Sequence, residues 1–179
     1  MALIFWKAYP SRIKRILTIV AFFLLSIIIT VAGALTPLSH EEASSISQEL
    51  EQLRPKISIQ FIFGNNFMIC LLMFVPIAGP LFGFYALYNT GVLVAAESVT
   101  YGVHPLLGFI SLFILPVIWL EFFAYSAAMA ESVWLTWRII QRRGKSELMK
   151  TCVFISICAV TLLVAAIVEI AILAMLPQG

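Results

Sequence analysis

Residues 16–36, ILTIVAFFLLSIIITVAGALT, carry no charged side chain. A helix of about 20 apolar residues matches the ~30 Å hydrocarbon layer of a bilayer, so the run predicts a membrane span. Lys7, Arg12, Lys14 and Arg15 precede it, and Ala32-Gly33-Ala34 lies near its end. Such a pattern imitates a signal peptide, but a secretory apolar region is only ~7–15 residues long. The run therefore reads as an uncleaved anchor with its N-terminus on the cytoplasmic side.

The rest of the chain repeats this bias. Of 179 residues, 62% are hydrophobic and 11% charged, whereas a soluble domain carries about 25% charged residues. So few charges cannot dress a water-facing surface, and membrane lipid must cover most of the molecule. A net charge of +2 offers no footing for nucleic acid. Cys70, Cys152 and Cys158 all lie in apolar runs without a Cys-x-x-Cys pair, and they read as small packing residues.

Prolines and polar stretches divide the chain into an all-α, polytopic bundle of about five spans, forming one membrane domain over residues 1–179. The expected spans are about 16–36, 58–76, 80–97, 117–138 and 151–176. Between the first two, Ser39 followed by Glu42 is a capping-box signature. Ala43, Ile46, Leu50 and Leu53 then recur at helical spacing, which predicts an amphipathic helix over about 40–53. Its glutamates suit the outer side. The uncharged joint PIAGP, residues 76–80, is expected to turn at membrane depth against other helices. The apolar stretch 105–137 is too long for one crossing at ~1.5 Å per residue, and Pro116 is where it should break. A half-helix or re-entrant piece at about 105–115 is the expectation. Arg138, Arg142, Arg143, Lys145 and Lys150 then form a basic loop, the strongest signal for a cytoplasmic face. Five crossings place the C-terminus outside.

Ionisable groups within spans are costly and mark either function or packing. Glu121, Glu131 and Glu169 qualify. They could carry ions or protons, or anchor a basic partner, with Arg138 the nearest candidate for Glu131. Alternatively each keeps its proton and hydrogen-bonds a neighbouring helix. Asn65 and Asn66 open the second span. Asn65 reads either as a helix cap or as a cluster member. Asn66, one residue deeper, reads as part of an interhelical cluster with Asn89, Glu121 and Glu169. Gly79 with Gly83, Gly91, and the stripe of Ala124, Ala127, Ala128 and Ser132 permit close helix packing.

Catalysis finds little support. The chain has no aspartate, its two histidines, His40 and His104, lack metal-pair spacing, and no phosphate-binding Gly-Lys-Ser or Gly-Lys-Thr loop is present. No cofactor or metal is expected.

Taken in order, the motifs resemble the stage II sporulation protein M family. Ile62, Phe63, Asn65 and Asn66 match its Ile-Phe-x-Asn-Asn start, and Gly79 and Gly83 its glycine-bearing middle. Asn89-Thr90-Gly91 is a looser form of its Asn-Gly. Pro116, Glu121 and Ala124 fall in register with its proline-to-glutamate segment, although Trp119 and Leu120 replace a His-Gly pair. Glu169 matches its final-span Ala-x-x-x-Glu element. The resemblance covers about residues 58–175 and implies a multi-span, partner-binding scaffold of a prokaryotic cell membrane, without chemistry of its own. Its partners would be other membrane proteins and, as a homo-oligomer, itself. A transport or channel subunit, with the buried Glu and Asn in a polar cavity, is the other reading; an intramembrane hydrolase is a distant third.

Overall fold

The computed structural model describes residues 11–142 and 144–175. Lys7, Arg143 and Leu176, used above for flanks and span ends, lie outside the described residues, as does the side chain of Lys145. Seven α-helices and no strand occur among the described residues. They are α1 (Ser11–Ala34), α2 (His40–Leu53), α3 (Ile59–Met73), α4 (Gly79–Thr100), α5 (Pro105–Leu112), α6 (Pro116–Ile140) and α7 (Gly144–Met175).

Local chemistry sets most of these boundaries. Ser39 and Glu42 form the capping box of α2, with Ser39 Oγ accepting from the Glu42 N–H at 3.2 Å and Glu42 Oε2 from the Ser39 N–H at 2.9 Å. These hydrogen bonds hold the exposed Glu42 carboxyl below its ordinary range, the backbone one contributing most. Pro105 and Pro116 each occupy the first position of a helix, where the missing N–H costs nothing. Between α5 and α6 the path bends by 84°.

Among the described residues, two helices are long and apolar enough to cross a membrane alone, Arg12–Ala34 and Glu147–Met175, and the bent α5–α6 pair makes a third if counted as one span. Apolar α3 has 15 residues, which reach about 22 Å at ~1.5 Å per residue. The structure thus establishes an all-helical chain with two to three candidate spans.

Helix α6 lies at the centre, packed on α1, α3, α4 and α7. Its buried face includes Phe122, Ala124, Tyr125, Ala127, Ala128, Met129 and Leu135. Against it pack Cys70 and Met73 of α3, Leu87 of α4, and Cys158 and Leu162 of α7. Outside the bundle, α2 lies along α4, where Ser47 Oγ and Thr100 Oγ1 are 3.0 Å apart.

Three local expectations are corrected. The basic loop expected over 138–150 is only a turn: Arg138 still belongs to α6, and α7 has begun before Lys150. Asn65 does not cap a helix, because Ser58 takes that place and accepts the Phe61 N–H at 3.2 Å. Cys152 is exposed rather than packed, unlike Cys70 and Cys158.

Candidate functional site

The polar side chains inside the bundle gather at two levels. Following the chain, α1, α4 and α7 start at one end, where α3 and α6 finish; this basic end is built around Arg15. Its guanidinium donates from one amino group to Glu131 Oε2 at 2.8 Å and from the other to Glu147 Oε1. Glu131 is 0% and Glu147 1% exposed. Glu147 Oε2 also accepts from Lys150 Nζ at 3.2 Å and lies 3.8 Å from Arg138 Nε. The Arg15 guanidinium sits 5.6 Å from the ring centroids of both Trp134 and Phe154, an arrangement that suits its planar charge.

The three helices contribute for different reasons. Glu147 stands in the first turn of α7, where the helix dipole favours an acid. Lys150 follows it at i+3, within reach on the same face. Glu131 lies on the small-residue face of α6, turned toward α1, and only a cation from another helix can reach it. Taking one partner from such a buried pair typically costs about 3–5 kcal/mol, since the remaining charge is stranded.

The α3–α4 joint docks at the same level. Ile77 has φ of 69°, a left-handed conformation unusual for a β-branched residue. A turn hydrogen bond from the Ala78 N–H to the Pro76 carbonyl at 2.8 Å closes around it. Helix α6 holds this turn: the Ile77 N–H donates to Thr136 Oγ1 at 2.9 Å, and Ser132 Oγ donates to the Val75 carbonyl at 2.6 Å.

Toward the other end, Asn66 Nδ2 of α3 donates to Glu121 Oε1 of α6 at 2.5 Å. Asn65 is exposed and reaches only its neighbour, with Nδ2 3.5 Å from Asn66 Oδ1. Glu169 of α7 is half-buried. Tyr125, one turn after Glu121 on α6, is buried. Asn89 does not join Asn66 and Glu121; it donates to the Tyr85 carbonyl of its own helix at 2.8 Å. Of the candidate cluster, a hydrogen bond joins Asn66 and Glu121, with Asn65 at the margin.

The small residues mark the helix crossings. A Cβ on Gly79 would stand 2.0 Å from the Met73 carbonyl oxygen, and one on Gly83 would meet Met129 Sδ at 2.3 Å. Gly91 faces Gly33 of α1: a Cβ on Gly91 would lie 2.1 Å from the Thr30 carbonyl oxygen, and one on Gly33 2.1 Å from that of Tyr88. Ala124 and Ala128 are fully buried. The Ala124 carbonyl accepts the Cys158 thiol at 3.4 Å, with Cys70 Sγ 4.0 Å away.

Sequence reasoning missed Arg15, Glu147 and Tyr125. A flanking arginine signals topology in sequence, and nothing local couples it to a glutamate 116 positions away. His104 is a helix cap, accepting the Leu106 N–H at 3.3 Å. Among the described residues, no three His, Cys, Asp or Glu side chains are grouped to hold a metal.

The family model for stage II sporulation protein M matches residues 19–172 of this chain. No curated protein and no solved structure matches it. The match covers most of the chain, which therefore belongs to that family of membrane proteins.

Proposed function

We propose that this chain is an integral scaffold or assembly subunit of a prokaryotic cell membrane, without catalytic activity of its own. It crosses five times, through α1, α3, α4, α6 and α7, while α5 re-enters before the 84° corner. The basic end faces the cytoplasm by the positive-inside rule, so the N-terminus is cytoplasmic and the C-terminus outside. Other membrane proteins, or a second copy, meet the chain on two surfaces. One is α2, with exposed Glu41, Glu49 and Glu51; the other is the cytoplasmic end, with exposed Arg12 and Arg142.

One observation carries this reading: two polar pairs, Asn66 with Glu121 and Arg15 with Glu131, join different helices. Asn66 donates to Glu121 at 2.5 Å, and Glu131 is 0% exposed against Arg15. Polar groups joined in pairs across helices act as packing glue in lipid. A transport or channel subunit is the second reading, favoured by the broken α5–α6 segment, since discontinuous helices build many substrate sites.

Cysteine accessibility separates the two. Single cysteines replace Asn66, Asn89, Glu121 and Glu169 in turn, in a background lacking Cys70, Cys152 and Cys158. A membrane-impermeant thiol reagent is then applied from either side. The scaffold reading expects protection at Asn66, Glu121 and Glu169 in folded protein. Labelling at two or more of those three positions would reveal an aqueous path and put transport ahead.

A further inference from the structure

A groove of about 500 Å³ opens at the basic end, walled by Thr18 of α1, Pro80 of α4 and Val133, Trp134 and Trp137 of α6, with Ile77 at the α3–α4 joint. Its volume lies in the ~300–1,000 Å³ range of ligand sites. We propose that it holds one acyl chain of an anionic phospholipid.

The lining is almost wholly apolar, which suits a hydrocarbon chain. Its hydroxyls are already engaged: Thr18 Oγ1 donates to the Lys14 carbonyl at 2.8 Å and Thr136 Oγ1 to the Ser132 carbonyl at 2.8 Å. Trp137, 55% exposed on the groove wall, is the residue type found at the level of lipid headgroups.

Charge selects the headgroup. Arg15, Arg138 and Lys150 serve the two buried glutamates. The same end also carries exposed Arg12, and exposed Arg142, two residues beyond the groove residue Ile140. Such juxtamembrane basic groups attract anionic lipid. The opposite end carries Glu41, Glu42, Glu49 and Glu51 of α2, which outnumber the exposed Arg54 and Lys56 that follow them.

The test uses the full chain, purified in mild detergent and given phosphatidylglycerol or phosphatidylcholine, with retained lipid counted by native mass spectrometry. Wild type should keep one phosphatidylglycerol, at least several-fold more often than phosphatidylcholine. Val133→Trp, which fills the groove, should reduce that retention about tenfold. Arg12→Gln combined with Arg142→Gln should erase the preference between the lipids. Equal retention of the two lipids by wild type would overturn the proposal, as would unchanged retention in Val133→Trp. If that variant fails to fold, Arg12→Gln combined with Arg142→Gln decides, and an unchanged preference there is equally fatal. A wild-type dimer that Val133→Trp makes monomeric, with lipid unaffected, would assign the groove to a second copy and overturn the lipid. The inference rests only on α1, α4 and α6 meeting lipid, so water access to Asn66 or Glu121 would defeat the scaffold reading and leave this one standing.

Discussion

The two ends of the bundle solve the same problem differently. At the basic end, Glu131 and Glu147 are buried beside cations, and Arg15 ties α1 to both α6 and α7. Toward the far end, Glu121 meets the amide of Asn66, and none of the ion pairs found involves it. There α1 is held by backbone approach, with Gly33 against Gly91. The contrast teaches where stability should be concentrated. A buried ion pair that loses one partner strands a charge, whereas an amide–carboxyl contact in lipid contributes far less.

The largest effect is therefore expected at Arg15. Arg15→Leu should cost about 3–5 kcal/mol, read as lost thermal stability in detergent and release of α1 from the bundle. A loss no greater than that of far-end variants would erase the contrast.

Gly91→Ala comes next. Its new Cβ meets backbone at 2.1 Å, so α1 and α4 must separate, at about 1–3 kcal/mol for overpacking. Gly64 is the control, since nothing lies within 4 Å of a Cβ there. Gly64→Ala should be neutral or stabilise α3 by up to ~1 kcal/mol through helix propensity. The same unfolding assay reads both, and similar losses at the two glycines would disprove the close crossing.

Asn66→Leu sharpens the comparison from the polar side. Hydrogen bonds between membrane helices average ~0.6 kcal/mol and reach ~1.7, so this loss should fall well below that at Arg15. A loss as large as Arg15→Leu would make the far-end cluster an equal anchor.

The smallest effect belongs to α2. Glu42 has its carboxyl held below the ordinary range by Ser39. A depressed folded-state value means the stabilisation is present above the unfolded carboxylate range and fades as pH falls through the folded value. Amide exchange in the first turn of α2 should quicken as pH drops through that window, relative to the intrinsic rate, and Ser39→Ala should remove the dependence. Exchange in α2 indifferent to both would refute the capping role.

Where the sequence was legible, the signals were local. Ser39 with Glu42, Pro105 and Pro116 each fix a helix start through backbone chemistry within one turn, and the helices begin there. Asn66 and Glu121 stood out because amides and carboxylates are conspicuous among apolar residues. Arg15 and Glu147 did not, because each sits in a polar flank where charge is ordinary. Their meeting depends on how α1 packs against α6 and α7, a tertiary fact with no periodicity to betray it. Asn65 shows the converse error: its residue type suits a cap, but Ser58 lies earlier and starts the helix first.

The central claim is that Arg15 is the cation that permits Glu131 to be buried at the core of the bundle. A double-mutant cycle of Arg15→Gln and Glu131→Gln, measured by reversible unfolding in detergent, tests it most directly. Removing Arg15 alone should be severely destabilising, and adding Glu131→Gln should restore much of the loss, with a coupling of about 2–3 kcal/mol. Simply additive losses would mean the two residues do not hold each other, and the account of the basic end would be wrong.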